Sequence, residues 1–403
     1  MRRMLHLVAS RADRPADDPI FALNAEANAR RAKGESIVNA TVGALLDDEG
    51  KLLVLPSSAR AVRDVPEEEW AAYAPIAGTP EFTNAVIADL LSTEPKLKES
   101  AIAVATPGGT GALRHAIANF LEPGHSLLTT SYFWGPYQTL TDEADRKLDT
   151  FSMFTESGAF NVGALDAKLG EHLKTQKRAL IFLNDPCHNP TGYSMTGGEW
   201  EAVVATLLRH AGEGPVTLLV DTAYFDYASG DPRAFLKALV PLVGKVGLLF
   251  AWSASKSFTH YGLRVGALVA CVEGEENRKK THAAFSYSSR GSWSNCNRGG
   301  LRAVTRLLTD PELIALCKKE RESARELLAS RVRAWNAAAK GKLVYPRYEG
   351  GFFVTVFADD AKERALRMKD AGVFVVPQKG ALRVALCSVA ERDVKRLVDA
   401  FGV

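Results

Sequence analysis

A lysine followed eight residues later by an arginine is the pair in this sequence whose chemistry is easiest to read. Lys256 stands in a hydroxyl-rich stretch directly after the apolar run at residues 246–252. A lysine at the end of a buried strand can keep a neutral amine, which forms a Schiff base with an aldehyde. The planar guanidinium of Arg264 suits a phosphate, to which the hydroxyls of Ser253 and Ser255 can also donate. An aldehyde and a phosphate on one ligand describe pyridoxal 5'-phosphate, although two solvated loop cations would give the same pattern.

A glycine-rich stretch earlier in the chain gives a second pattern that is typical of phosphate binding. Residues 101–105 are predicted to form a buried strand, residues 106–111 a turn, and residues 112–121 a helix. Glycines at such a turn leave the backbone N–H groups at the positive end of the helix open to an anion. Gly109 and the hydroxyl of Thr110 are therefore candidate phosphate donors. A turn that serves only close packing is the alternative.

The elements that would position these residues alternate between apolar strands and helical patterns. Strands rich in Val, Ile and Leu without a polar face predict an α/β fold, in which helices sandwich a mostly parallel sheet. Such a sheet binds ligands beyond the carboxyl ends of its strands, which is where this chain places Asp221 and Lys256. The predicted strands of this region are residues 126–130, 148–153, 179–184, 216–221, 246–252 and 265–272.

Two smaller parts flank this large domain. A charged helical region at residues 311–340 leads into alternating strands and helices, which predict a small α+β domain. A helix from Pro19 to about Lys33 and a strand at residues 37–43 are expected to join that small domain. The predicted division is an N-terminal arm with part of the small domain (residues 1–50), a large cofactor-binding domain (51–310) and a small C-terminal domain (311–403).

The composition narrows the class of protein and its partners. The 403 residues carry 50 Lys and Arg against 47 Asp and Glu, so no bulk charge favours nucleic acid or a membrane surface. The five cysteines are scattered, without a spacing typical of zinc or disulfides, which fits a reducing cytoplasm. The apolar run within residues 1–10 is too short for a signal-peptide core. We therefore expect a cytoplasmic protein with no metal site, nucleic-acid partner or membrane span.

Five short motifs in a fixed order carry a resemblance to a known family. They are Gly-Gly-Thr-Gly-Ala-Leu (108–113), His-Asn-Pro-Thr-Gly (188–192), Asp-Thr-Ala-Tyr (221–224), Ser-Ala-Ser-Lys with its later arginine (253–264) and Leu-Arg-Val (382–384). In order and spacing, and over nearly the whole chain, they resemble the fold-type I, class I pyridoxal-phosphate aminotransferases of the aspartate and aromatic subgroup. The resemblance implies a homodimer that moves an amino group from an L-amino acid to a 2-oxo acid by a ping-pong mechanism through aldimine and ketimine intermediates.

The resemblance also implies roles around the cofactor ring. Asp221 would hold the proton on the pyridine nitrogen, which makes the ring the electron sink for a substrate carbanion. Asn189 and Tyr224 would hydrogen-bond the phenolic oxygen of the ring. Lys256 would form the resting Schiff base and, once displaced by the substrate amine, act as the base that carries the proton.

The face of the ring and the phosphate have their own candidates. By the same resemblance, Trp134 would stack on the ring, and the adjacent Tyr132 and Phe133 are the alternatives. The residues that would hold the phosphate are Gly109, Thr110, Ser253 and Arg264.

Three further residues, Gly43, Arg290 and Arg383, match substrate-binding positions of the family, and Tyr73 matches a cofactor-binding position. Arg383 would clamp the α-carboxylate of the substrate bidentately, with backbone help near Gly43. The residues that match Tyr73 and Arg290 reach the site of the neighbouring subunit in this family, which implies shared active sites. There, the arginine binds the distal carboxylate of dicarboxylic substrates, but it can also swing away to admit an aromatic ring. Aspartate or an aromatic amino acid is thus the expected donor, and 2-oxoglutarate the expected acceptor.

The chain departs from the family pattern at three places. Cys296-Asn297 replaces two prolines, Asn184 replaces a histidine, and Gly351 stands where a bulkier residue is usual. These departures concern the shape of the substrate pocket and leave the core chemistry intact. A fold-type I lyase or decarboxylase would share every cofactor contact and stays open as the alternative activity. A pyridoxal-phosphate-binding regulator would need a DNA-binding domain, for which we expect no room in this sequence.

Overall fold

The computed structural model describes residues 6–8, 11–15 and 19–402, and β-strands form its centre. The strands of these described residues are β1 (Val38–Asn39), β2 (Ala101–Pro107), β3 (Ser126–Thr130), β4 (Lys147–Phe151), β5 (Ala179–Asn184), β6 (Val216–Asp221), β7 (Gly247–Ser253), β8 (Val265–Cys271), β9 (Phe353–Phe357), β10 (Val373–Phe374), β11 (Val376–Gln378) and β12 (Ala381–Ala385).

A seven-stranded sheet is the largest element of the part of the chain that the structure describes, with the order β2-β8-β7-β6-β5-β3-β4. Neighbouring strands from β7 to β4 run parallel, whereas β8 is antiparallel to both β2 and β7. Residues 254–264 connect β7 to β8, and a parallel crossover needs about a dozen residues or more. The mostly parallel sheet is confirmed, and its one reversed strand follows from this short connection, which carries Lys256.

Helices cover both faces of this sheet, because its central strands are apolar on both sides. Along β5, Ile181 and Leu183 join the hydrophobic cluster on one face, while Leu180 and Phe182 join the cluster on the other. The helices of the described residues are α1 (Pro19–Ala32), α2 (Pro56–Arg63), α3 (Glu67–Ala71), α4 (Pro80–Leu90), α5 (Pro95–Ser100), α6 (Gly108–Phe120), α7 (Pro136–Glu143), α8 (Val162–Gln176), α9 (Gly197–His210), α10 (Leu236–Leu239), α11 (Ala254–Ser257), α12 (Glu275–Ser292), α13 (Arg298–Thr309), α14 (Pro311–Ala339), α15 (Ala361–Asp370) and α16 (Val394–Asp399).

A smaller core surrounds the antiparallel sheet β11-β12-β9 and the pair β1-β10. The pairing of β1 with β10 joins the N-terminal arm to the C-terminal part, as the sequence predicts. Helix α14 passes from the main core, where it contributes Leu328, into the smaller core, where it contributes Val332. Trp335 of the same helix packs edge-on against Phe401. The domain boundaries at residues 50 and 310 stay a prediction.

Two predicted elements near the site differ from the structure. The turn expected at residues 106–111 is absent, because β2 continues to Pro107 and α6 begins at Gly108. The glycines therefore form the first turn of the helix. Lys256, expected in a loop, lies in the single helical turn of α11.

The N-terminal expectations are met only in part. The strand predicted at residues 37–43 is limited to Val38–Asn39, since the next carbonyl, that of Ala40, accepts a hydrogen bond from the N–H of Ala385 instead. Most of residues 1–10, to which the expectation about a signal peptide refers, lie outside the described residues. Within the described ranges, no helix combines the length and the apolar composition needed to cross a membrane.

Candidate active site

The predicted cofactor residues come together at one edge of the central sheet. The carboxyl ends of β3, β5, β6 and β7 surround a cavity of about 200 Å³, together with the first turn of α6. This is the edge at which parallel α/β sheets bind ligands. The cavity is lined by Gly109, Thr110, Leu113, Trp134, Asn184, Asn189, Asp221, Ala223, Tyr224, Ser253, Ser255, Lys256 and Arg264.

The amine of Lys256 is buried in this cavity beside two aromatic rings. Its Nζ atom lies 5.2 Å from the ring centre of Tyr224 and 5.6 Å from that of Tyr261. Burial, together with the charge of Arg264, lowers the pKa of Lys256 to about 8, against the opposing charge of Asp221. A useful fraction of the amine is therefore neutral near neutral pH, which a nucleophile or a general base requires.

Arg264 lies against the first turn of α6 and forms an anion-binding corner with it. A Cβ atom added to Gly108 would lie 2.4 Å from Nη2 of Arg264, so a side chain there would displace the guanidinium. Gly108 also has a φ of +70°, which glycine adopts without strain. Nη1 of Arg264 donates to Oγ of Ser255 at 3.3 Å and to the carbonyl of Tyr261 at 3.0 Å. The predicted phosphate residues Gly109, Thr110 and Ser253 line the same cavity.

The carboxyl group of Asp221 is buried and held by two donors. The hydroxyl of Tyr137 donates to Oδ2 at 2.8 Å, and the backbone N–H of Ala223 donates to Oδ1 at 3.2 Å. Burial raises the pKa of Asp221 above its usual value, although the hydrogen bond from Tyr137 opposes the shift. A cationic group in the cavity would favour the carboxylate form, because a buried charge needs a partner.

Asn189 and Tyr224 are joined to each other and anchored to Asp221. Nδ2 of Asn189 donates to the hydroxyl oxygen of Tyr224 at 3.1 Å. Asn184 fixes this arrangement, since its Oδ1 accepts from the backbone N–H of Asn189 at 2.6 Å and its Nδ2 donates to the carbonyl of Asp221 at 2.7 Å. Burial raises the pKa of Tyr224, so its hydroxyl keeps the proton and can act as a donor.

Among the three consecutive aromatic residues after β3, Trp134 is the one that lines the cavity. Its ring packs edge-on against Tyr137, with 5.8 Å between the ring centres. Tyr132 contacts the ring of Phe357 at 5.6 Å instead, and Phe133 packs against the core on one face of the sheet. The geometry therefore favours Trp134 over its two neighbours for a contact with a bound ring.

Arg383 and Gly43 do not line this cavity, but they lie together beside it. Arg383 is buried, and its Nη2 donates to the carbonyl of Thr41 at 2.6 Å. Its guanidinium carbon lies 4.8 Å from the ring centre of Phe353. A Cβ atom at Gly43 would lie 2.4 Å from Cζ of the same ring, so a side chain there would force the ring of Phe353 to shift. The ring of Phe353 also packs edge-on against Tyr224, which links this pair to the cavity.

Tyr73 and Arg290 lie on the surface of the chain and do not line the cavity. The side chain of Tyr73 is 86% exposed. Arg290 is exposed near the end of α12, where its Nη1 donates to Oγ of Ser294 at 2.6 Å. The structure thus does not bring these two residues to the site of their own chain, and their contribution to a neighbouring subunit stays a prediction.

Three residues to which the sequence analysis gave no role at the cofactor complete the site, and one of them, Asn184, was expected to affect only the substrate pocket. Tyr137 is the second residue of α7 and follows Trp134 by three positions. Its closeness in sequence to Trp134 was the only sign in the sequence that it belongs to the site. Asn184 is a polar residue that ends an otherwise apolar strand, which is a usable signal for a ligand-side position. Gly108, rather than its neighbour Gly109, is the glycine that leaves space for the guanidinium.

Comparison with known proteins decides the family. A sequence profile of the family described as Aminotransferase class I and II matches residues 35–401. The chain belongs to this family. The crystal structure of an aminotransferase from Anaerococcus prevotii superposes on the chain with a TM-score of 0.93 at 33% sequence identity, covering 98% of both chains.

Curated relatives support the same assignment for this aminotransferase. The aromatic-amino-acid aminotransferase of Paracoccus denitrificans is 28% identical over 399 residues, which is 96% of each chain. The aspartate aminotransferase of Pseudomonas aeruginosa is 30% identical over 316 residues, which is 75% of each chain. The protein is therefore a fold-type I, pyridoxal-phosphate-dependent amino-acid aminotransferase, and the comparisons give no support to a lyase or a decarboxylase.

The residues of the cavity fit pyridoxal phosphate. Lys256 offers a buried amine for the aldehyde, and Asp221 offers a buried carboxyl group for the ring nitrogen. The space left by the missing side chain of Gly108 keeps the guanidinium of Arg264 available for the phosphate. Each group of the cofactor thus has a chemically matched partner in one cavity.

Proposed function

We propose that this aminotransferase moves the amino group of aspartate or an aromatic amino acid to 2-oxoglutarate, and that the cavity around Lys256 is its active site. The observation that carries the site assignment is the buried amine of Lys256, whose pKa is lowered to about 8 within reach of the charges of Arg264 and Asp221. Relatives named as aromatic and aspartate aminotransferases support the substrate class.

The cofactor would be held by groups with separate tasks. Bound pyridoxal phosphate supplies an electron sink, which stabilises the carbanion left when the Cα–H bond of the substrate breaks. Asp221 would keep the ring nitrogen protonated, and Tyr137 would orient its carboxylate. Asn189 and Tyr224 would donate to the phenolic oxygen, and Trp134 would cover one face of the ring. The phosphate would be bound by Gly109, Thr110, Ser253 and Arg264.

Lys256 would move the proton. Its neutral Nζ would accept the proton from Cα of the substrate, and the resulting ammonium group would hold that proton and donate it again, so that one residue serves as both base and acid. The charge of Arg264 and burial favour the neutral amine, whereas the charge of Asp221 opposes complete loss of basicity. This balance suits a base that must both accept and donate near neutral pH.

The substrate would be bound from two sides. Arg383, with the backbone near Gly43, would hold the α-carboxylate, which every amino-acid and 2-oxo-acid substrate carries. Arg290 of a neighbouring subunit would pair with the distal carboxylate of aspartate and 2-oxoglutarate, and Tyr73 of that subunit would reach the phosphate. The exposure of Tyr73 and Arg290 on their own chain supports an obligate two-fold homodimer with shared sites.

We also propose a cytoplasmic location, in keeping with the free cysteines of the described residues and a relative named as cytoplasmic.

The first test concerns the base. Lys256→Ala removes the amine but none of the phosphate contacts, so we expect cofactor to remain bound non-covalently while turnover is lost. Cofactor content after dialysis and amino-group exchange between an L-amino acid and a 2-oxo acid give the two readouts. Turnover near the parent rate would refute the assignment of Lys256.

The second test concerns the side-chain specificity of Arg290. Arg290→Gln should lower kcat/KM for aspartate and 2-oxoglutarate by about two orders of magnitude, since removing one member of such a charge pair costs about 2–5 kcal/mol. Phenylalanine should be spared. Arg278→Gln, on the same helix α12, is the matched control and should change neither. Equal loss for both substrate classes would show that Arg290 does not read the side chain.

The third test asks whether the sites are shared. Lys256→Ala and Arg290→Gln subunits are mixed, dissociated and reassociated. If Arg290 acts across the interface, each hybrid dimer holds one site with both parent residues, so activity toward dicarboxylates reappears. Absence of recovery, or a fully active monomer in sedimentation, would refute the shared site.

Fractionation of the cells that make the protein tests the proposed compartment.

A further inference from the structure

Arg331 is a completely buried arginine on α14, outside the cofactor cavity. Its Nη1 donates to the carbonyl of Cys387 at 2.7 Å. Its Nη2 donates to the carbonyl of Leu46 at 2.8 Å and to Oδ1 of Asp48 at 2.8 Å. One guanidinium therefore joins two chain segments that are more than 300 residues apart in sequence.

These two segments are the ones that carry the substrate-side residues. Residues 40–46 include Gly43, and residues 383–387 begin with Arg383. The segments run side by side, because the N–H of Ala385 donates to the carbonyl of Ala40 at 2.9 Å and the N–H of Leu46 donates to the carbonyl of Cys387 at 3.0 Å. Arg331 contacts both segments at the end that carries Leu46 and Cys387.

The physical chemistry of Arg331 makes this junction stiff. A buried guanidinium must be paired and hydrogen-bonded, since removing it from water is otherwise costly. Its charge and hydrogen bond lower the pKa of Asp48 although burial raises it, so the carboxylate remains ionised as a partner. The planar fork fixes the directions of its donors, which a flexible lysine would not do. The guanidinium thereby reinforces the backbone hydrogen bond from Leu46 to Cys387 and fixes how their carbonyls are oriented toward each other.

We propose that Arg331 is a positioning residue for the α-carboxylate of the substrate, acting through the segments that carry Gly43 and Arg383. This inference rests on the proposed roles of those two residues. Arg331 itself does not line the cofactor cavity. Because every amino-acid and 2-oxo-acid substrate has the same α-carboxylate, loss of Arg331 weakens all of them by a similar factor. The cofactor contacts belong to other elements and are unaffected.

The experiment measures KM and kcat of the holoenzyme for aspartate, phenylalanine and 2-oxoglutarate, and the dissociation constant of the cofactor. Arg331→Met should raise every KM by a similar factor, on the order of tenfold, which corresponds to a loss of about 1.4 kcal/mol of α-carboxylate binding. The expected change in kcat is smaller, and cofactor affinity is retained. Arg331→Lys keeps the charge but not the fork, so its KM values should lie between those of the parent and the methionine variant.

Two further variants separate positioning from loss of stability. Val332→Ala truncates the neighbouring buried residue of α14 and should lower the melting temperature without a change in KM. Asp48→Asn removes the partner charge but leaves Arg331 and both carbonyls, and should show the same uniform rise in KM at smaller size. This second variant carries the test if Arg331→Met does not fold.

Several results would overturn the proposal. They are unchanged KM values, a rise limited to one substrate class, a parallel loss of cofactor affinity, or an equal KM rise in Val332→Ala. If the proposed function is wrong, the parent enzyme itself will fail to use aspartate or phenylalanine as donor, so this failure is distinguished from failure of the role of Arg331. If the parent prefers another L-amino acid, the same comparison is made with that substrate, since it also carries an α-carboxylate.

Discussion

Burial of Lys256 carries a cost in stability that can be measured in the cofactor-free protein. The pKa of this amine falls from 10.5 to about 8 on folding. Between these two values the unfolded chain binds a proton that the folded chain does not, so the free energy of unfolding rises with pH across this window. At pH values below this window, Lys256 is protonated in both the folded and the unfolded chain, and the full cost of burying its charge lowers the free energy of unfolding. At one pKa unit per 1.36 kcal/mol, the cost is about 3 kcal/mol near pH 7.

Lys256→Met replaces the amine with an apolar chain of similar length and should remove this cost. We therefore expect the cofactor-free variant to be about 3 kcal/mol more stable than the cofactor-free parent at pH 7. At pH 9.5 the folded parent is already neutral, and the difference should shrink by about 2 kcal/mol. Urea unfolding of both proteins at the two pH values measures the free energies of unfolding.

Lys279→Met provides the control, because the side chain of Lys279 is 74% exposed. It should leave the free energy of unfolding nearly unchanged at both pH values. A Lys256→Met variant that is less stable than the parent at pH 7 would refute the reasoning. So would a difference that does not depend on pH, since it would then come from packing rather than from the buried charge.

Two other substitutions test the cofactor side. Tyr137→Phe removes the hydrogen bond to the Asp221 carboxylate, worth about 1.5–3 kcal/mol for a charged acceptor, so the dissociation constant of pyridoxal phosphate should rise at least about tenfold; an unchanged constant in equilibrium dialysis would contradict this. Gly108→Ala should weaken binding of pyridoxal phosphate but not of pyridoxal, which lacks the phosphate, because its Cβ would strike Arg264. Gly124→Ala is the matched control, since Gly124 also has a positive φ of +80° but nothing within 4 Å of an added Cβ, and an equal loss of binding there would contradict the steric argument.

The main residues of the site could be predicted because the signal for them is local. Asp221 and Lys256 follow apolar strands, and the carboxyl ends of neighbouring parallel strands meet at one edge of a sheet. The order of strands need not be known for this inference. The reversed direction of β8 was not anticipated, although the short connection that contains Lys256 already excludes a parallel crossover.

Other contacts could not be predicted, because they depend on how distant elements pack. Tyr137 reaches Asp221 across 84 positions of sequence, and a tyrosine in the first turn of a helix gives no sign of that partner. The choice between Gly108 and Gly109 depends on where the side chain of Arg264 lies. Arg331 stands in a charged helix among many exposed cations, and only the fold shows that it is buried.

The two halves of the site are therefore built by different means. The cofactor side is formed by the ends of adjacent strands in one sheet, so its residues are held by a continuous ladder of backbone hydrogen bonds. The substrate side joins β12, which carries Arg383 and pairs with β9 and β11, to a segment more than 300 residues away in sequence, through two backbone hydrogen bonds and the side chain of Arg331. Because Arg331 does not line the cofactor cavity, its substitution should alter KM and leave cofactor affinity intact, whereas Tyr137→Phe, which removes a contact of Asp221, should do the reverse. This separation follows from the architecture and does not depend on which amino acid is the donor.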